Sequence, residues 1–166
     1  MSTSDFNVRF IQADDNAEVK TLVQNTLAEF GLVGAGYAGV DDELNDMYQS
    51  YSDDLSAYYV IVSADKIYGV GGFAPLTGTE RGTIAELRKM YFLPSLRGQG
   101  MGQQLIQLCL KEATKLNYKS MYLETVPKMK AAQALYLKNG FEYLEQRLGN
   151  TGHSNCGVHM LRKLND

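Results

Sequence analysis

The sequence predicts an α+β fold, with helices and strands alternating around one mixed sheet in a single domain over residues 1–166. Three observations predict it. The chain has 166 residues with 45% hydrophobic content, enough to bury about two-thirds of its unfolded surface without disulfide or metal staples. Short β-rich runs alternate with longer runs whose apolar residues recur at helical spacing. A glycine-rich turn, Arg97-Gly98-Gln99-Gly100-Met101-Gly102, joins an apolar strand-like run to an amphipathic helix.

In order along the chain, residues 6–11 read as the first strand. Asp14 and Asp15 then cap a helix with Val19, Leu22, Val23, Leu27 and Phe30 on its apolar face, closed by Gly31. Four glycines between positions 31 and 39 predict a mobile loop, and Asp41-Asp42 starts a short amphipathic helix through Leu44, Met47 and Tyr51. Residues 58–63 and 67–73 are β-rich and separated by Ala64-Asp65-Lys66, a hairpin pattern, and a turn over 77–82 leads into a strand over 83–93. Beyond the glycine turn, Leu105, Leu108, Cys109 and Leu116 mark the core face of a helix ending near Asn117. Residues 121–125 form the next strand, and Pro127 leads into a helix rich in Ala and Leu with Gly140 at its C-terminal end. Strands over 141–145 and 157–163 finish the sheet.

The net charge of −3 hides an asymmetry: residues 1–83 carry 4 Lys/Arg against 13 Asp/Glu, residues 84–166 carry 12 against 6. The basic half holds the glycine turn, which suits a ligand with several phosphates, and the acidic half suits an amine-bearing partner. Overall acidity argues against nucleic acid. A charged-then-apolar leader and a membrane-length apolar run are both missing, so the expectation is a cytoplasmic protein with no membrane partner. Cys109 reads as inert core and Cys156 as a loop thiol. Neither histidine has the partner spacing of a metal site, so no metal is expected. His159 alternates with Val158 and Met160 and reads as sheet surface. His153, in a Gly/Asn-rich tail, reads either as a turn residue bonded to backbone or as part of a substrate pocket.

The glycine turn carries the chemistry. Glycine at every second position lets the backbone approach a bulky anion, its N–H groups can converge there, and the following helix adds the positive end of its dipole. Arg97 supplies a cation at the mouth. A dinucleotide fingerprint needs glycine where Gln103 stands, and a P-loop needs Lys-Ser/Thr where Gln103-Gln104 stand, so both are excluded.

The turn resembles the Arg/Gln-x-x-Gly-x-Gly/Ala loop of the GCN5-related N-acetyltransferases, the GNAT superfamily. Upstream, Ala85-Glu86-Leu87-Arg88-Lys89-Met90-Tyr91-Phe92-Leu93-Pro94 is similar to that family's central strand. Downstream, Leu123-Glu124-Thr125 and the Leu135-Tyr136-x-x-x-Gly140-Phe141 pattern are similar to its second half. The resemblance implies a mixed, mostly antiparallel sheet flanked by helices, acetyl-CoA as co-substrate, and transfer of acetyl to a primary amine by direct attack in a ternary complex. The implied acceptor is a small molecule such as an amino acid or a polyamine-like compound. A protein N-terminus or lysine, and a non-catalytic acyl-CoA sensor, stay open as alternatives. A homodimer is implied only by analogy.

The same resemblance assigns residues. It lays the cofactor along the backbone of Met90, Tyr91, Phe92 and Leu93 and seats the pyrophosphate on Arg97, Gly98, Gln99, Gly100, Met101 and Gly102. Tyr136 would be the general acid for the departing thiolate, and Glu86 the carboxylate that takes a proton from the ammonium, unless it pairs with Arg88 or Arg81. Glu124 is a second carboxylate candidate, and His153 a candidate for the acceptor side. Met129 departs from the family pattern, which commonly has Asn there.

Overall fold

A computed structural model describes residues 5–164. Seven strands form one sheet in the order β1-β2-β3-β4-β5-β7-β6: β1 Asn7–Phe10, β2 Ala57–Ser63, β3 Lys66–Pro75, β4 Ile84–Phe92, β5 Ser120–Thr125, β6 Glu142–Leu144 and β7 Val158–Lys163. Every neighbouring pair is antiparallel except β4 and β5. Helix α1 (Asn16–Glu29) and the short α2 (Met47–Ser50) cover one face, while α3 (Met101–Lys115) and α4 (Lys130–Lys138) cover the other.

Strand periodicity builds both layers. Along β2, Ala57, Tyr59 and Ile61 enter the α3 side of the core, while Tyr58 and Val60 enter the α1 side. The hairpin between β2 and β3 turns on Ala64 and Asp65, both at positive φ (48° and 62°), the two-residue geometry that matches strand twist. Helix α3 buries Leu105, Ile106, Cys109 and Ala113, and α1 buries Val19, Leu22, Val23 and Leu27.

Two predicted elements differ in detail. Asp15 does not cap α1. Its carboxylate accepts from the Gln12 N–H at 2.7 Å and pairs with Arg9, closing a 3-10 turn over Ala13–Asp15 that precedes the helix. The helix expected from Asp41 to Tyr51 is broken at Asp46, which sits at φ −155° and accepts from the Gln49 N–H at 3.1 Å, so a 3-10 turn (Asp42–Asn45) and α2 replace it. Asn and Asp compete with helical backbone bonding and favour caps, and that preference wins here.

One irregularity positions everything that follows. Between β3 and β4 the register jumps from Val70↔Tyr91 to Gly72↔Arg88, so Lys89 and Met90 together face Gly71. Lys89 takes φ 46°, and the buried Tyr58 hydroxyl donates to its carbonyl at 2.7 Å. This bulge shifts side-chain parity by one: Ala85, Leu87 and then Met90 share the α3 side of the core. The opposite side receives Glu86, Arg88 and, unusually, Lys89 as well.

Candidate active site

Beyond the bulge, β4 leaves its parallel partner. The two strands pair only from Ile84↔Ser120 to Glu86↔Tyr122, although β4 runs on to Phe92 and β5 to Thr125. A split opens at the carboxyl ends of two parallel strands, where open sheets bind ligands. It contains a cleft of about 580 Å³ whose wall includes Met90, Tyr91, Phe92, Gly98, Gly100 and Tyr136. Leu93 is not in that wall. Its N–H donates to Tyr68 at 2.8 Å and its side chain packs on the α1 side.

At the outer end of the cleft, the glycines divide the work. Gly98 and Gly100 take φ 78° and 81°, and a Cβ on either would meet only open space. Gly102 is helical and allows close packing, since a Cβ there would lie 3.1 Å from Leu135. Gly100 precedes α3 without any side-chain cap, and the first bond into the helix runs from Gln104 N–H to Gly100 at 3.1 Å. The amides of Met101, Gly102 and Gln103 therefore have no helical acceptor, and the positive end of the helix dipole lies behind them, an arrangement suited to an anion. The Met101 side chain is buried in the core, so only its backbone serves the site. Gln99 holds the turn by donating to the Ser95 carbonyl at 2.6 Å.

Arg97 stands at this mouth, but it is not a free cation. It pairs with Glu29 of α1 at 2.6 and 3.0 Å and donates to the Phe92 carbonyl. Its hydrogen bonds hold the Glu29 carboxyl below the usual range. Lys128, Lys130 and Lys138, which have no acidic partner among the described residues, add positive charge to the wall. The basic excess of the second half pointed to this charge, but only the fold shows which lysines supply it.

At its inner end the cleft meets a chamber of about 40 Å³, and Met90, Tyr91, Met129 and Tyr136 line both spaces. The Tyr136 side chain is buried against Phe141, with ring centroids 5.9 Å apart. Its hydroxyl has no hydrogen-bond partner among the described residues. Burial pushes its pKa up to about 12, so the phenol is protonated at neutral pH. Met129 accepts from the Thr125 hydroxyl through sulfur at 3.7 Å and forms part of the neck. Cys156, expected as a plain loop thiol, also lines the chamber, and burial pushes its thiol up to about 11.

On the α1 side of the sheet lies a second cavity of about 270 Å³, bounded by Asp41, Asp42, Glu43, Glu86, Arg88 and Lys89. Its charges form one chain. Glu86 accepts from Arg88 at 2.7 Å, and Arg88 reaches Glu43 at 3.3 Å. Glu43 meets the Lys89 ammonium at 3.0 Å, Lys89 meets Asp41 at 2.7 Å, and Asp41 meets His153 at 2.7 Å. Arg81 pairs elsewhere, with Asp53. Burial raises the Glu86 pKa, although Arg88 opposes the shift. Burial also works against the charge of Asp41, but His153 and Lys89 outweigh it and hold that carboxyl below the usual range. Lys89 lines both this cavity and the small chamber.

The tail loop closes the cavity. Arg147 donates to the carbonyls of His153, Ser154 and Cys156 and pairs with Glu124 at 3.3 Å. Glu124 also accepts from Tyr122 and Thr151, each at 2.5 Å, so its carboxylate is committed to holding this loop on β5. The loop then grips residues 35–41 through His153 and through Asn155, which donates to the Ala35 carbonyl at 3.0 Å. His153 is thus a side-chain partner of Asp41 and no mere backbone-bonded turn residue. His159 is not sheet surface either. Strand β7 lies between β5 and β6, which leaves the ring 13% exposed and 3.8 Å from Glu124, with Nδ1 unbonded among the described residues.

The model of the acetyltransferase (GNAT) family matches residues 24–141. The chain is 41% identical over 158 residues to the uncharacterized N-acetyltransferase YjgM of Escherichia coli (strain K12), covering 95% of this chain and 94% of the relative. Among solved structures, a GNAT-family acetyltransferase from Staphylococcus aureus Mu50 superposes with a TM-score of 0.80 at 17% identity, covering 96% of this chain and 99% of the other. Spermidine N-acetyltransferase from Vibrio cholerae, in complex with CoA and spermine, superposes with a TM-score of 0.67 at 20% identity, covering 98% and 97%.

Proposed function

The chain belongs to the GNAT family of acetyl-CoA-dependent N-acetyltransferases, and we propose that its acceptor is the primary amine of a small, cationic, polyamine-like molecule. One observation carries this reading. The cavity beside the small chamber is bounded by four carboxylates, Asp41, Asp42, Glu43 and Glu86, against two cations, Arg88 and Lys89. The excess negative charge favours an acceptor that keeps a second ammonium after the first has reacted. The spermidine N-acetyltransferase likeness agrees in kind, and at its level of identity it speaks for the fold alone.

Acetyl-CoA fits the cleft on the chemistry of its walls: an amide cradle for pyrophosphate, open at Gly98 and Gly100 where any Cβ would intrude, and an apolar channel beside a β4 edge with no strand partner. It supplies a thioester carbonyl open to attack. In our reading, the backbone of Met90, Tyr91 and Phe92 aligns the donor, and the Gly98–Gly102 turn anchors it. Tyr136, protonated and without a partner among the described residues, presents its O–H at the neck where charge develops on sulfur. Glu86 faces the acceptor cavity, with Arg88 fixing its orientation, and takes a proton from the acceptor ammonium directly or through water. A free ammonium has no lone pair to attack with, so this removal must precede bond formation. Glu124 and His153 shape the acceptor side through the tail loop.

The raised pKa of Glu86 gives a test with a definite sign. A base works only when ionised, so kcat/KM should fall as pH drops through a value above the ordinary glutamate range of about 4.3. The same raised pKa means the folded state binds this proton more tightly than the unfolded chain does. Stability contributed by Glu86 therefore rises over that interval, and unfolding at this residue cannot cause the loss. The Glu86→Gln variant should show low activity with the acid limb removed. An unaltered limb would assign it to another group.

The acceptor is tested by following thiol release from acetyl-CoA against diamines, polyamines, amino acids and short peptides. Turnover on diamines or polyamines in preference to monoamines and neutral amino acids is the expected result. Preference for peptides would favour protein N-termini or lysines, and binding without turnover on any amine would favour the sensor.

A further inference from the structure

The amide cradle serves one part of a three-phosphate ligand, and the fold holds a second place for phosphate. Beside the cofactor cleft, and sharing Gln103 and Lys138 with it, runs a groove of about 480 Å³ bounded also by Gln107, Asn139, Gly140 and Arg162. Arg162 lies on β7 two residues beyond the buried Met160, so it emerges on the α3 side of the sheet. Arg162 is half-buried, and neither it nor Lys138 has an acidic partner among the described residues. In a chain that otherwise pairs Arg9, Arg81, Arg88, Arg97 and Arg147 with carboxylates, this is a distinctive omission.

Gly140 makes the arrangement possible. It ends α4 at φ 87°, a conformation that favours glycine, and a Cβ there would lie 2.8 Å from the Arg162 Nε, so the guanidinium packs directly on the helix end in the groove that Lys138 also lines. Gln103 and Asn139, bonded to each other at 2.7 and 3.1 Å, tie the start of α3 to the end of α4 and keep the groove against the pyrophosphate site.

We propose that Arg162 and Lys138 form the seat of the 3′-phosphate of coenzyme A. A monoester phosphate carries nearly two negative charges, and neutral backbone amides do not offset them, whereas an unpaired guanidinium and ammonium do. The seat rests on the orientation proposed above, with pyrophosphate on the Gly98–Gly102 turn. The consequence is discrimination between acetyl-CoA and acetyl-3′-dephospho-CoA, which are identical everywhere else.

Calorimetry with both ligands, without acceptor, reads this directly. The parent protein should bind acetyl-CoA about tenfold more tightly than the dephospho form, the scale of a charge-assisted contact at a partly exposed site. Lys138→Gln, on an exposed position, and Arg162→Gln should each shrink that preference toward unity by weakening acetyl-CoA more than the dephospho form, and Arg162→Lys should restore part of it. No preference in the parent, or an undiminished preference in Lys138→Gln and in folded Arg162→Gln, would overturn the seat. A Gly100 variant separates the two readings. If it weakens both ligands equally while the lysine and arginine variants keep the preference, the seat fails and the orientation stands. If it weakens neither, the orientation fails and the seat with it.

Discussion

In a Gly100→Val variant, acetyl-CoA affinity is expected to fall about a hundredfold or more. Two effects combine. Gly100 stands at φ 81°, where a β-branched residue is strained by about 1–3 kcal/mol, and the new side chain projects into space that holds no atom of the described residues. That space is the approach to the free amides of Met101, Gly102 and Gln103. Losing two bonds to a charged phosphate removes roughly 3 kcal/mol or more, which is two decades in Kd. Gly34→Ala is the control for strain, because Gly34 also has positive φ (91°) and an open Cβ direction, far from the turn in sequence. It should lose some stability and keep its acetyl-CoA affinity. Calorimetric Kd values together with melting temperatures distinguish the two contributions, and unchanged affinity in folded Gly100→Val would remove the turn from the cofactor site.

The backbone shape of that turn, with positive φ at Gly98 and Gly100 before α3, was legible because its physics is local. Alternate glycines before an amphipathic helix need no partner elsewhere in the chain to be an anion site. The strand-helix order and the core faces of α1 and α3 were legible for the same reason, since periodicity reports which side of an element is buried. What the sequence hid depends on meetings across long separations. Asp41 and His153 are 112 residues apart, Lys89 and Asp41 are 48 apart, and no local pattern announces either pair. The bulge at Lys89 was hidden for another reason. The residue at positive φ is a lysine, and the glycine that signals something unusual, Gly71, lies on the neighbouring strand. His159 misled because alternation distinguishes two faces of a strand but not whether a loop and another strand cover the second face. Arg97 was legible as a cation at the mouth, but its partner Glu29, 68 residues away, was not.

In the proposed reading, the bulge lets one strand face both substrates. By shifting parity, it places Met90 toward α3 and Lys89 beside Arg88 toward the acidic loop. Lys89 therefore lines both the acidic cavity and the chamber next to Tyr136, and Met90 lines that chamber and the large cleft.

Tyr136→Phe should lower kcat about 10- to 100-fold, leave the acetyl-CoA Kd within about twofold, and leave stability unchanged or slightly improved. The last expectation follows from a hydroxyl that bonds to no other described residue: removing it sacrifices no contact with them, and Phe preserves the edge contact with Phe141. The size of the kinetic effect follows from acidity. A phenol with a pKa of about 12 is a weaker acid than a thiol of about 8.5, so complete proton transfer to the departing sulfur runs uphill. What the O–H supplies is a short, preorganised hydrogen bond that strengthens as negative charge grows on sulfur, in a site shielded from water. Such a donor contributes to the transition state and little to ground-state binding, so the loss belongs in kcat and not in Kd. An acyl donor with a more acidic thiol leaving group needs that bond less, and the ratio of parent to variant rates should shrink with it. A ratio independent of leaving-group acidity would place Tyr136 in packing alone.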